Sequence, residues 1–141
     1  MSIQQAMNSM LFSAQIGAGL YAHSSAGKNR AEVKKIKKEK SFLEKEQQQL
    51  YKQLDKEIDK HPQDPFFLTM KDRAEAGYAQ KFEDIALRIH KQNSTTKSFK
   101  SLQKAVSNKT EKQQAFKDRI ELLKASGRED LLKYFEKGGN E

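Results

Sequence analysis

The chain has 141 residues, of which 33% are charged and only 35% hydrophobic, with no Trp, no Cys and a formal net charge of +8. Without Cys, disulfides and thiolate metal sites are excluded, and a mean hydropathy of −0.93 is poor material for a large compact core. Only 2 Pro and 7 Gly interrupt the chain, so an all-α protein is expected, built from long helices that bury one face on a neighbour.

Residues 1–27 form the first of three regions and contain no Asp, Glu, Lys or Arg. Read at about 100° per residue, Ile3, Met7, Met10, Leu11, Ala14, Gly17, Ala18 and Tyr21 fall on one helical face, with Gln4, Gln5, Asn8, Ser9, Ser13 and Gln15 opposite. Positions 6, 10, 14, 18, 22 and 26 are Ala, Met, Ala, Ala, Ala, Ala, a ridge of small side chains that lets helices approach closely. Such a segment needs cover from a bilayer, from sister helices or from a protein groove. A spanning helix takes about 20 mostly apolar residues, and residues 3–22 reach that length while carrying amides and hydroxyls. A cleaved signal peptide is disfavoured, because positive charge follows the apolar stretch and does not precede it.

Residues 28–92 are the second region, a charged helical hairpin around Pro62 and Pro65. Residues 28–60 hold 11 Lys/Arg and 7 Asp/Glu and read as one long helix, with Ile36, Leu43 and Leu50 repeating at seven and Val33 and Leu54 flanking them. Lys40 and Gln47 occupy the positions that would complete a coiled-coil seam, so this helix needs a neighbour or copies of itself. Continuous with the opening segment, it would make an extended rod of roughly 85 Å at about 1.5 Å per residue. Asp64 is placed to accept from free amides of the next helix, and Pro65 to occupy its first position, where no hydrogen bond is lost. The stripe Phe67, Met70, Ala74, Tyr78, Phe82, Ile85 and Ile89 then predicts a second helix folded back on the first, so that Phe67, Met70 and Tyr78 cover Leu54, Leu50 and Leu43.

Residues 93–141, the third region, read as short amphipathic helices. Asn93, Ser94, Thr95 and Thr96 supply cap chemistry before a helix presenting Phe99, Leu102 and Val106. Ser107, Asn108 and Thr110 are expected to break the chain again before Phe116, Ile120 and Leu123. Gly127 is expected to cap a helix C-terminus, and Leu131, Leu132, Tyr134 and Phe135 mark a last short helix.

No motif for catalysis or metal binding stands out. His23, His61 and His90 lie in separate segments without a second ligand at helical spacing, and most carboxylates interleave with Lys as a solvated face. The expectation is a non-enzymatic protein without cofactor, metal or small-molecule substrate. Positive charge is more informative. Lys28, Arg30, Lys34, Lys35, Lys37, Lys38 and Lys40 follow the uncharged opening directly, and Lys97, Lys100 and Lys104 share a second helical face. Either cluster suits anionic headgroups or the phosphates of nucleic acid held without reading sequence. Aromatic rings are not interleaved as a base-stacking platform would require. A further reading is that Lys-rich helices merely keep the protein in solution.

The run Ser9, Met10, Leu11, Phe12, Ser13, Ala14, Gln15, Ile16, Gly17, Ala18, Gly19, Leu20, Tyr21, Ala22, leading through Ser24, Ser25, Ala26, Gly27, Lys28 and Asn29 into the Lys/Gln/Glu helix, resembles the start of phage DNA pilot proteins and internal ejection proteins. The resemblance covers about the first 60 residues. It implies a virion component, oligomeric through its N-terminal helix, that meets the host envelope while assisting genome ejection. The alternatives are a soluble helical scaffold or adaptor whose opening helix docks on a partner, or a nonspecific nucleic-acid-binding protein, either of them cytoplasmic.

Overall fold

The computed structural model describes residues 30–136. They are all-α: helix α1 (Arg30–Lys60), α2 (Pro65–Gln92), α3 (Thr96–Ala125) and α4 (Glu129–Glu136), with no strand among the described residues. The expectations for residues 1–27 and for Lys28 lie outside the described residues.

The turn between α1 and α2 forms as its residues dictate. The Asp64 carboxylate accepts from the Phe66 amide at 3.0 Å while Pro65 takes the first helical position. The helices then run antiparallel, tied across by Lys71 to Asp55 at 2.6 Å near the turn and by Arg88 to Glu39 at 2.7 Å near the other end. Along the seam Ile36, Leu43, Leu50 and Leu54 of α1 are buried with Met70, Ala74, Tyr78 and Ile85 of α2. The repeat at seven thus serves an intramolecular hairpin.

Phe67 departs from its expected place. Its ring stacks on His61 outside the core, and its neighbour Phe66 packs inward against Phe135. The reason is that α2 buries two faces, one on α1 and one on α3, so a single stripe does not describe it. Small residues, Ala76 and Ala79, are also buried along it.

The largest departure lies in α3, a single 30-residue helix through the stretch expected to break at residues 107–110. Ser, Asn and Thr favour caps because their side chains compete for backbone groups. Here the Thr110 hydroxyl instead donates to the Val106 carbonyl within the helix at 3.0 Å. Lys109 within that stretch and Lys112 just beyond it are anchored on α2, to Glu83 at 2.8 Å and to Glu75 at 3.4 Å, and Arg119 continues the ladder to Asp72 at 2.9 Å. Packing along a neighbour outweighs local preference.

Helix α3 ends where Gly127 adopts φ +70. Arg128 N–H donates to the Leu123 carbonyl and Gly127 N–H to that of Lys124, at 2.9 and 3.1 Å, the paired bonds of a Schellman turn. The turn directs α4 back across the starts of α2 and the end of α3, burying Leu131, Leu132 and Phe135 against Phe66, Phe116 and Leu123. One end of the molecule is thereby closed.

Candidate functional site

The other end is open. Helices α1 and α3 flank α2 on two sides and nowhere approach each other closely, which leaves a groove of about 860 Å³ between them. Its floor comes from α2, chiefly Phe82, Ile85, Ala86 and Ile89, with Val33 from α1 beside them. Its walls carry lysines: Lys37 and Lys40 on α1, Lys97 and Lys104 on α3. Glu44 is the only carboxylate among the described residues lining it. A shallower recess of about 490 Å³ continues over α3 along Thr96, Lys97, Lys100, Ser101 and Lys104.

The two basic clusters, far apart in sequence, therefore become facing walls because the α1–α2 hairpin and the α2–α3 turn return both to one end. Lys34, Lys35 and Lys38 are exposed on α1 without lining the groove, and Arg30 is exposed at its first residue. Lys40, read in the sequence mainly as a gap in the seam, becomes a wall residue because the groove stripe of α1 lies beside the buried one.

Ion pairing sorts the remaining cations. Lys109 and Lys112, which continue the second basic run, are spent on Glu83 and Glu75. Lys37, Lys40, Lys97, Lys100 and Lys104 have no carboxylate within 4 Å among the described residues. Unneutralised lysines on two facing walls make a positive field that a low-dielectric floor concentrates.

A hydrogen-bond cluster holds the groove end in place. Thr95 and Ser98 form a reciprocal capping box at the start of α3, each side chain accepting from the other's backbone N–H at 2.9 Å. The Ser98 hydroxyl also lies 2.6 Å from His90 Nδ1, so the last turn of α2 is tied to the first turn of α3. No sequence pattern signals this pairing, because it depends on how the turn at residues 93–95 folds. A Ser–His contact can activate a nucleophile, but this hydroxyl is buried and shared with the Asn93 and Thr95 carbonyls. Its arrangement suits capping, and no carboxylate orients the far side of the ring among the described residues.

Away from the groove, the α1–α2 interface perturbs several titrations. Burial pushes the Tyr51 phenol up to about 12, against a weaker opposing hydrogen bond from Gln47, and it drives Tyr78 further up, with Glu46 adding to the effect. Burial also lowers Lys81, whose ammonium sits 5.5 Å over the Tyr78 ring. These groups belong to the α1–α2 seam and line neither of the two recesses described above.

Among the described residues no cluster of three or more His, Asp or Glu is arranged to hold a metal ion, and no helix is long and apolar enough to cross a membrane. Compared with protein-family models, with curated proteins and with solved structures, the chain matches none.

Proposed function

We propose that this is a non-enzymatic helical protein that holds the phosphate backbone of nucleic acid between two lysine walls. The observation that carries the reading is the convergence of Lys37 and Lys40 with Lys97 and Lys104 across one open groove, without carboxylate partners among the described residues. Lysines behave as point charges on flexible stems, which suits phosphates in any sequence and gives no base readout. The two-walled shape favours a strand or duplex over a planar headgroup layer, since a rod of phosphates can meet both rims at once.

The resemblance of the opening residues supplies the most concrete setting for this contact. In it the protein is a minor phage virion component, assembled with copies of itself or with other proteins, that accompanies the genome as it is ejected toward the host envelope. An adaptor that docks on a partner protein makes less use of the unpaired lysines.

The test is fluorescence anisotropy of the full-length chain with two duplexes of unrelated sequence over a range of salt. Both affinities should coincide, and log K should fall linearly with log salt, with a slope of about −0.9 for each phosphate neutralised. The triple variant Lys97→Ala, Lys100→Ala, Lys104→Ala should flatten that slope by about 2 to 3 on the same relation. Binding that ignores salt, or a slope the triple variant leaves unchanged, overturns the proposal.

A further inference from the structure

The lysine walls account for the rims of the groove and leave its floor unexplained. Ile85 is buried there, while Phe82, Ala86, Ile89 and Val33 are half-buried and show apolar surface to the groove. At the opposite end such surface is covered by Leu131, Leu132 and Phe135 of α4. A duplex gives this floor nothing, because its base faces are stacked inward and its phosphates run along the outside. We propose, resting on the phosphate contact argued above, that the groove takes single-stranded nucleic acid, with phosphates on the lysine rims and base faces on the floor at Phe82.

Two kinds of surface in one channel carry the inference. Proteins that hold single strands without reading sequence combine a positive groove for the backbone with aromatic side chains for the bases, since every base has a π-face. Phe82 is the one aromatic ring among the described residues lining the groove, and it lies on α2 between the wall of Lys37 and Lys40 and the wall of Lys97 and Lys104. The ring and the cations come from three separate helices, so no interleaving shows in the sequence. Along α1 the groove runs from Val33 to Gln47, about 21 Å at about 1.5 Å per residue. A stacked strand rising about 3.4 Å per nucleotide places about six nucleotides in that length.

Shape and polarity argue against an alkyl chain in the same place. A small-molecule pocket encloses most of its ligand, whereas this channel is open. Exposed Asn93, Ser101 and Asn108 also border it, and their donors and acceptors suit base edges.

The test is a competition on the full-length chain at one salt concentration. Three probes of equal phosphate count are used: a thymidine oligonucleotide of about twelve residues, within the usual range of single-strand site sizes, an abasic strand of the same length, and a hairpin duplex. The thymidine strand should bind about tenfold tighter than either of the others, the gain expected from about one stacked base. Phe82→Leu keeps the floor apolar and removes the ring, and it should bring the thymidine and abasic strands to within about twofold of each other. Phe82 also packs on the core, so the abasic comparison on the parent chain decides where the variant does not fold. Equal affinity of the thymidine and abasic strands overturns the proposal and leaves the phosphate contact standing, whereas salt-independent binding of all three removes both. A preference for thymidine that survives in folded Phe82→Leu takes the bases off this floor. Where the two strands bind equally, their displacement by dodecyl phosphate assigns the floor to an alkyl chain instead.

Discussion

The two ends of this molecule are made from the same three helices and treat them in opposite ways. At the end where α1 turns into α2, Leu54 and Met70 are completely buried, aromatic rings of Phe66, Phe116 and Phe135 meet, and α4 lies across the starts and ends of its neighbours. At the end where α2 turns into α3, α1 and α3 stand apart and their walls are lysine. Leu54, Thr69, Met70 and Leu123 are buried toward the first end, and lysines without a carboxylate within 4 Å among the described residues line the second. A chain with so little apolar material closes one end with α4 and leaves the other open.

Substitutions can break this contrast. The largest expected effect is at the closed end: Leu54→Ala removes a fully buried side chain and should cost about 2–5 kcal/mol in urea unfolding. Lys97→Ala at the open end should stay within about 0.5 kcal/mol, and a comparable loss there would mean that the rim is structural. Between these lies Ser98→Ala, which removes the capping box and the contact with His90. It should cost about 1–2 kcal/mol by thermal unfolding.

The lysines themselves sharpen the comparison further. Replacing Lys109 and Lys112 by Ala breaks two ion pairs to α2 and should lower stability by about 0.5 kcal/mol for each. The salt slope of DNA binding should not change, in contrast to the rim triple variant. If the paired lysines alter the slope as much as the rim lysines do, the groove is not the contact surface.

The smallest effect is a titration. Unfolded tyrosine ionises near 10, while burial holds the Tyr51 phenol until about 12 and Tyr78 beyond it. Between about pH 10 and 12 the folded state therefore binds more protons than the unfolded state, and stability should fall as pH rises through that window. Burial of Lys81 acts with the opposite sign below its ordinary value of 10.5. Urea midpoints followed across this range in the parent chain and in Tyr51→Phe would show a shallower decline in the variant.

How much of this was legible in the sequence depended on whether a feature was local. Asp64 with Pro65, and Gly127 in its left-handed turn, act through the two or three peptide groups beside them, and the structure has them as expected. The hairpin seam of Ile36, Leu43, Leu50 and Leu54 was also readable, since helical spacing alone aligns those residues. The break expected at residues 107–110 was not there, because ion pairs to α2 hold α3 straight through weak helix formers. Phe67 and Phe66 exchanged roles for a similar reason, as α4 reaches the start of α2 from a distant part of the chain.

The candidate site was legible only in pieces. Composition and spacing determined that the protein is helical, that each of its described helices carries an apolar stripe, and that its positive charge is gathered in two runs. Only the tertiary structure decided that those runs face each other across a single groove, and which of their lysines lack a carboxylate within 4 Å among the described residues. The reason is physical: helical periodicity fixes the direction of a side chain around its own axis, whereas the partner it meets is set by the packing of one helix on another.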